Sequence, residues 1–407
     1  MVALEIVAFL GLLAWIGLLL DRSRRWPFDL DLQTLVAKEK GSDYEGSVAV
    51  LVPARNEAET LPRTLPSLLR QENVTLEIFV IDDASTDGTT EVVECCARGS
   101  VSPHRLTVIP APPGKVTGSG KIRALEAGLR ALSLSRAESP STLPRWLLLT
   151  DADIFHRADS VRDLVSLASG IGGSRGFDLV SIMARLHAEH RWERLLIPAF
   201  VYFFQILYPF RRVQKESSRV AAAAGGCILL NSDMLLRAGG FTALRNELID
   251  DVALAGRVQA AGGRLFLGLD SGIRSIRSYI TLSALWRTIS RTAFTQLRYS
   301  PWLLALTLLA LLIVVVAPPL IVAFGLISIL SGCCQGGDTL TRAVIWSAVA
   351  WCIATISFIP SVRHQRVSSM WAVTLPLAGL IYALMTADSA LRYWLGHGTR
   401  WRGRKIT

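Results

Sequence analysis

Apolar positions divide the chain into two kinds of territory. At both ends they run continuously; in the middle they come as short blocks separated by amphipathic stretches. The first block, Leu4 to Leu20, is broken only by small residues and is followed at once by Asp21-Arg-Ser-Arg-Arg25. A cleaved signal peptide carries its positive charge before the apolar run and small residues after it. The reversed order here predicts an uncleaved anchor over residues 1–21, with Arg22, Arg24 and Arg25 on the cytoplasmic side. Near the other end, Trp302 to Leu330 is interrupted by Pro318-Pro319; it is too short for two spans and long for one, so it reads as a kinked or tilted span. Ala343 to Ile359 and Met370 to Thr386 follow, with Arg363 and Arg366 between them. The expectation is one N-terminal and about three C-terminal transmembrane helices, the latter within 301–390. A basic tail at 391–407 then holds Arg392, Arg400, Arg402, Arg404 and Lys405. Four full crossings would leave that tail outside, against the positive-inside rule, unless one run is interfacial or re-enters the membrane.

Between about Ser47 and Asp270 the pattern changes to nearly continuous apolar strands alternating with helices. Strands are predicted at Ser47–Val52, Leu76–Ile81, Leu106–Ile109 and Trp146–Leu149, and helices at Glu59–Gln71, Asp87–Arg98 and Gly120–Leu132. Such strands between helices imply a mostly parallel sheet covered on both faces, and ligands of such sheets bind at the carboxyl ends of the strands. One further apolar stretch, Leu195 to Phe210, is flanked by Arg191, Arg194, Arg211 and Arg212. It reads as an interfacial helix within 190–214, its aromatics at headgroup depth and its arginines on lipid phosphates. A core helix has the same composition.

The polar residues that follow the strands carry the candidate chemistry. After the first comes Pro53-Ala54-Arg55-Asn56-Glu57, after the second Asp82-Asp83-Ala-Ser-Thr-Asp87-Gly-Thr89, and after the fourth Asp151-Ala152-Asp153. Two carboxylates at i and i+2 on a strand end suit a hard divalent cation, Mg²⁺ or Mn²⁺, which binds through one or two carboxylates plus substrate phosphates. Asp82 and Asp83 suit a nucleobase N–H or a ribose hydroxyl, while Asp87 equally suits a helix N-cap. Gly120-Lys121 opens a helix, a place that favours phosphate with Lys121 as counter-charge. Further on, Gly225-Gly226 precedes a short strand at Ile228–Leu230, permitting close backbone approach. Asp250-Asp251 then opens the helical pattern VALAGRVQAAGG. His187 and His190 sit three apart with Arg191 beside them, which favours a structural or surface role over metal binding.

Composition sharpens the division. The chain of 407 residues is 51% hydrophobic but only 19% charged, below the roughly one quarter usual for soluble domains. Disorder is excluded. The six cysteines are sparse, two pairs are adjacent (Cys95-Cys96, Cys333-Cys334), and no CxxC occurs, which excludes a disulfide scaffold and a zinc ribbon. With 43 Lys+Arg against 33 Asp+Glu, the net charge is +10. Because Arg22 to Arg25, Arg191 to Arg212 and Arg274 to Arg298 border apolar segments, this charge reads as anchoring to a phospholipid bilayer, with no nucleic acid partner.

PARNE, VIDDASTDGT, GK-x-x-AL and LLLTDAD, in this order and spacing, resemble family 2 glycosyltransferases of the GT-A fold over about Val48 to Arg291. The resemblance implies a Rossmann-like GT-A domain over 45–285, a basic amphipathic linker at 286–300, and an inverting hexosyltransferase. Its donor would be a nucleotide-diphosphate sugar, with a UDP-sugar expected. It further implies donor contacts at Pro53, Ala54, Arg55, Asn56, Glu57, Asp82, Asp83, Lys121 and Asp151, and a divalent metal (Mg²⁺ or Mn²⁺) on Asp151 and Asp153. Acceptor contacts fall near Gly225 and Gly226. Glu247-Leu-Ile-Asp250-Asp251-Val-Ala-Leu254 looks like the family's ED-x-x-L segment, with Asp250 in place of the usual Glu; on that match Asp251 is the general base and Asp250 raises its pKa. Membrane-bound members carry a QxxRW-like motif. Here Arg291 fits its spacing, as a donor contact, whereas Gln296 and Arg298 fit its letters, as acceptor contacts; the absent Trp argues against a processive polysaccharide synthase.

PARNEAETLPRTLPSLL, GKIRALEAGL, LLLTDADIFH and RTAFTQLRYSP narrow the resemblance to the bacterial hopanoid-associated glycosyltransferases, with the ceramide glucosyltransferases more distant. PPGKVTGSGK stands where a Trp-containing loop is expected. This implies a membrane lipid acceptor, hopanoid or related, and a multi-pass protein of the bacterial inner membrane whose catalytic domain is cytoplasmic. The alternatives are transfer to polyprenyl phosphate, an acceptor already anionic that needs no strong base, and a membrane-anchored non-catalytic binding protein.

Overall fold

The structure is a computed structural model describing residues 1–407 except 25, 38–45, 100, 112–119, 136–142, 171–174, 332–336, 397–399, 402–403 and 406–407. Arg25, Arg402, Cys333-Cys334 and most of PPGKVTGSGK lie outside the described residues. The chain separates into two units. Residues 27–187, 208–277 and 400–407 make one; residues 1–26, 188–207 and 278–399 make the other.

The first unit is built on an eight-stranded sheet: β1 (Ser47–Ala54), β2 (Thr75–Asp82), β3 (Arg105–Pro110), β4 (Trp146–Thr150), β5 (Ile154–Phe155), β6 (Leu179–Arg185), β7 (Cys227–Asn231) and β8 (Leu265–Ser275). Their order is β3-β2-β1-β4-β7-β6-β8-β5. β1 pairs in parallel with β2 and β4, β2 with β3, and β6 with β8. The sheet is therefore mostly parallel, with β7 antiparallel to both β4 and β6. The predicted strands fall inside β1 to β4 and β7, and the predicted helices appear as Leu61–Leu69, Thr89–Arg98 and Gly120–Ser135. β1, β2 and β4 are almost wholly buried, which explains their uninterrupted apolar runs.

Register decides where chemistry can gather. Ala54 lies opposite Asp82, and Asp82 opposite Pro110, so the three carboxyl ends are level. β7 runs the other way and pairs Cys227 with Thr150, so its amino end meets the carboxyl end of β4. Gly225-Gly226 is thereby delivered to the edge that carries Asp151.

The second unit is helical. Among the described residues four helices are long and apolar enough to cross a membrane: Val2–Leu20, Pro301–Ser328, Gly337–His364 and Ser369–Trp394. The second of these is continuous through the two prolines, but Leu311–Val316, just before them, is a π-helix. Pro318 has no N–H to give to Val314, four residues back; the Trp15 indole donates to that carbonyl instead, at 2.8 Å. A Cβ at Gly11, one turn earlier in the first helix, would stand 3.2 Å from the Ile313 carbonyl, so the close approach needs the glycine.

The stretch expected at the membrane interface is a helix, Arg191–Leu207, followed by a short one at Phe210–Val213. The longer helix belongs to the helical unit, where Ser361 Oγ donates to the Pro198 carbonyl (2.7 Å) and Tyr382 Oη to that of Leu196 (3.0 Å). The fully buried Glu193 accepts backbone N–H groups of Glu189 and His190, each at 3.0 Å, and bonds from Ser278 Oγ and the Tyr279 N–H. One carboxylate thus ties together the two places where the chain passes into this unit.

Candidate active site

Two loops at the sheet edge are stitched into one platform. Asn56 takes a left-handed φ of 51° and Ala84 one of 53°. The Asn56 N–H donates to Ser85 Oγ (2.9 Å), and its side-chain carbonyl accepts from Thr86 N–H (2.9 Å). The Glu57 and Ala58 N–H groups donate to Thr89 Oγ1 and Asp87, both at 3.0 Å. Burial raises the Asp87 pKa, but its bonds from Thr89 and Ala58 outweigh this and hold it below the usual value. Asp87 therefore braces the platform as well as the start of the helix at Thr89.

The neighbouring carboxylates are committed differently. Asp82 accepts from the Ser85 N–H (3.0 Å), the Ser85 hydroxyl and Thr90 Oγ1 (2.8 Å), closing its own turn. Asp83 is only 1% exposed and pairs with Arg123 and Arg55, the latter at 3.4 Å; Arg55 also donates to the Asp83 carbonyl at 2.9 Å. Asp83 thus holds two arginines at the mouth of the platform. Arg123 was not singled out from sequence, although it lies two residues past Lys121 in the same helix.

At the end of β4, Lys121 Nζ stands 2.6 Å from Asp151 Oδ1 and donates to the Gly225 carbonyl at 3.0 Å. The Gly225 N–H donates to Asp251 Oδ2 (2.8 Å), and the Val252 N–H to Asp251 Oδ1 (2.8 Å). A Cβ at Gly225 would lie 3.0 Å from Asp251 Oδ2 and 3.2 Å from Lys121 Nζ, so a larger residue there would push the carboxylate or the lysine by a few tenths of an ångström. Burial, then the charge of Asp250, push the Asp251 carboxyl up to about 6, against the pull of Lys121 and of its two N–H donors. Lys121 is itself held charged: the carboxylates of Asp151, Asp250 and Asp251 overcome its burial and raise its pKa.

Asp153 has a different set of partners. Its Oδ2 accepts from Ser275 Oγ at 2.5 Å and lies 3.4 Å from the Arg277 guanidinium, which pairs with the buried Glu57 at 2.6 Å. The Ile276 N–H donates to the Asp153 carbonyl at 2.9 Å. Ser275 and Arg277 had no motif to mark them. Below this edge, His156 is buried against Thr150 Oγ1 (2.9 Å), and burial lowers its pKa to about 4. It is a neutral structural imidazole.

The structure therefore brings together Pro53 to Glu57, Asp82, Asp83, Lys121, Asp151, Asp153, Gly225, Gly226, Asp250 and Asp251 on one sheet edge. Arg291, Gln296 and Arg298 lie in the helical unit, around the helices Leu282–Ser290 and Ala293–Gln296. Arg298 and Tyr299 both take left-handed φ there (52° and 56°) at the turn into Pro301.

Among the described residues no group of three His, Cys, Asp or Glu side chains converges to hold a metal alone. The donor set still fits a hard divalent cation. Mg²⁺ takes one or two protein carboxylates and completes its shell with phosphate oxygens and water, and Asp151, with 37% of its side chain exposed, offers such a ligand beside Asp153.

Residues 49–237 match the family model for glycosyl transferase family 2. The succinoglycan biosynthesis protein ExoO of Rhizobium meliloti (strain 1021) is 28% identical over 168 residues, 39% of this chain and 43% of that protein. An undecaprenyl-phosphate 4-deoxy-4-formamido-L-arabinose transferase of Pseudomonas savastanoi pv. phaseolicola is 25% identical over 150 residues, 36% of this chain and 38% of that protein. The matches thus span less than half the length of these curated relatives. A mannosyltransferase from Pyrobaculum calidifontis, solved with GDP-Man and Mn²⁺, shares the fold with a TM-score of 0.50 and 19% identity, covering 95% of this chain and 99% of that one. Residues 49–237 thus match the glycosyl transferase family 2 model and the chain shares its fold with that mannosyltransferase, while among the described residues one N-terminal and three C-terminal helices are apolar enough to span a membrane.

Proposed function

We propose that this family 2 glycosyltransferase chain moves a sugar, with inversion, from a nucleoside-diphosphate sugar to the hydroxyl of a membrane lipid at the cytoplasmic face of the bacterial inner membrane. The observation that carries the reading is Asp251. Its carboxylate is fixed by two backbone N–H groups, its pKa is pushed up to about 6, and Lys121 links it through Gly225 to Asp151. A carboxylate poised near operating pH, ionised yet more basic than usual, is what a hydroxyl acceptor requires.

Arg55, Asn56, Glu57, Asp82 and Asp83 belong to the platform that receives the nucleoside. Asp151 and Asp153 would hold the divalent ion, which when bound neutralises charge on the diphosphate leaving group. Lys121 adds a positive charge on the same side. Asp251 takes the proton of the acceptor hydroxyl as its oxygen bonds to the anomeric carbon and the carbon–diphosphate bond breaks on the opposite face. The bonding pair leaves with the nucleoside diphosphate. A UDP-sugar donor and a hopanoid or related lipid acceptor are the finer reading, supported by the sequence resemblance and by the helical unit. Transfer to polyprenyl phosphate is the second reading, favoured by the likeness to the Pseudomonas undecaprenyl-phosphate transferase.

The test uses membranes holding the full chain, a panel of radiolabelled nucleotide sugars, lipid extraction and mass spectrometry. Asp251→Asn is expected to lower transfer to a neutral lipid by a factor of roughly 10²–10⁴. Unimpaired transfer to a neutral lipid removes Asp251 as base, and unimpaired labelling of a polyprenyl phosphate establishes the second reading.

A further inference from the structure

Arg277 closes the segment 208–277 of the unit that carries the sheet and belongs to none of the sequence motifs. Its guanidinium is nevertheless placed with care. One edge is 2.6 Å from Glu57, which is 4% exposed; its Nε is 3.4 Å from Asp153 Oδ2; and the backbone N–H of Arg277 donates to Ser275 Oγ, the hydroxyl that also bonds Asp153. Glu57 lies in the loop after β1, Asp153 in the loop after β4, and Arg277 just beyond β8. Three strand ends are joined by one side chain. We propose that Arg277 is a positioning residue that sets the orientation of the Asp153 carboxylate for a divalent ion and the diphosphate it accompanies, with Glu57 as the anchor of that guanidinium.

The physical reason is geometric. A carboxylate on a short loop has rotational freedom, and removing a partner that orients a metal-binding carboxylate costs roughly 10–100-fold in metal affinity. Arg277 contacts Asp153 at one oxygen, Oδ2, while Glu57 anchors the other end of the guanidinium. Lysine at 277 keeps the charge but loses the fork that touches both carboxylates.

This inference rests on the glycosyltransferase reading, and the experiment separates the two. Binding of Mn²⁺ to the full-length protein in detergent is followed by electron paramagnetic resonance with and without a nucleoside diphosphate, alongside thermal unfolding. Arg277→Ala is expected to weaken Mn²⁺ binding in the presence of the nucleotide by about 10-fold or more, with Arg277→Lys between it and the parent and Glu57→Gln shifting in the same direction. Glu57→Gln keeps the shape of the anchor, so it tests the link if Arg277→Ala fails to fold. Equal Mn²⁺ affinity in the folded variants and the parent overturns the role of Arg277. A parent that binds no Mn²⁺ with any nucleoside diphosphate overturns the reading beneath it.

A separate set of contacts bears on membrane topology. The helices Pro301–Ser328 and Gly337–His364 pack antiparallel, Ile321 clustering with Ala343 and Gly325 facing Val344. Pro301 and His364 therefore share one end of this hairpin. Trp26 meets His364 there at 5.7 Å, placing Arg22 and Arg24 at the same end. The chain turns into the last apolar segment at that end, where Arg363 Nε donates to Ser369 Oγ at 2.9 Å and a 3-10 turn, Ser369–Thr374, leads inward to the helix Leu375–Trp394, whose Gly379 faces Val315 in the middle of the preceding span. The segment finishes there as well, with Tyr393 stacked on Tyr299 at 4.5 Å and Trp394 against Phe294 at 5.6 Å. It is also 50% buried within the protein, against 17–28% for the other three. The geometry points to a last helix that re-enters on the face it left, giving three crossings and a basic tail on the cytoplasmic side. This removes the conflict with the positive-inside rule. A fluorescent protein fused after Thr407 is expected to fluoresce in intact bacteria and a phosphatase at the same point to stay inactive, with the opposite result for both at Gly337. An active phosphatase after Thr407 overturns the topology.

Discussion

The sheet edge and the helical unit bury polar atoms by opposite rules. At the edge, acids are gathered beside one another and answered by cations: Asp83 by Arg55 and Arg123, Asp151 by Lys121, and Asp153 by Arg277. In the helical unit the partners are mostly neutral donors aimed at backbone carbonyls: Trp15 on Val314, Tyr382 on Leu196, Ser361 on Pro198. Its carboxylates are the exceptions: Glu5 pairs with Arg342 (2.6 Å) and Asp21 with Arg24 (2.8 Å), Glu193 sits where the chain passes into the unit, and Asp388 takes bonds from Trp286 (2.7 Å) and Arg392 (2.8 Å) near the end of the last helix. Water and an incoming ligand can complete a cluster of like charges at an open sheet edge. Hydrocarbon cannot, so each group in a membrane helix must be satisfied within the fold. Crowded charge therefore marks chemistry in one unit, and a misplaced donor marks a structural repair in the other.

The strongest way to break this comparison is to remove one of the crowded acids. Asp251 is raised first by burial and then by Asp250. A base must be ionised to act, so kcat/KM is expected to fall about tenfold per pH unit below about 6 and to level off above it. Asp250→Asn removes the like charge, lowers the Asp251 pKa and moves this acid limb to lower pH, while Lys121→Met moves it higher by removing an opposing positive charge. The check is a pH–rate profile of parent and variants in membranes. An acid limb that stays in place in both variants would show that crowding does not tune the base.

Much of the edge was legible because parallel sheets repeat one rule: a buried apolar strand followed by polar residues. Asp82-Asp83, Asp151-Ala152-Asp153 and the PARNE segment could each be found that way. The roles inside the cluster were not. Nothing in a string of residues says that Asp83 is spent on Arg55 and Arg123, or that Lys121 reaches across to Gly225, because those pairings depend on register between strands far apart in the chain. β7 illustrates the limit: its apolar run could be read, but its antiparallel direction, which turns Gly225 toward Asp151, comes from pairing with β4. Arg277 was hidden for the same reason. The helix Arg191–Leu207 has the composition of both a core and an interfacial helix, and its partners, Ser361 and Tyr382, are more than 150 residues away in sequence.

The smallest expected effect probes the other rule. Pro318 removes the N–H that Val314 would have accepted, and the π-helix at Leu311–Val316 widens the backbone beside it. Trp15 supplies the missing donor, with Gly11 letting its helix come close. Trp15→Phe keeps most of the ring but loses the N–H, leaving a buried carbonyl unsatisfied at a cost of about 1 kcal/mol, the scale of interhelical hydrogen bonds in membranes. In detergent this should lower the unfolding midpoint by a few degrees, while the acid limb set by Asp251 and Asp250 stays in place. Pro318→Ala restores the N–H, so combined with Trp15→Phe it should recover most of the loss. If Trp15→Phe is equally destabilising with and without Pro318, the indole acts through packing alone, and the contrast between charge pairing at the sheet edge and carbonyl repair among the helices loses its clearest case.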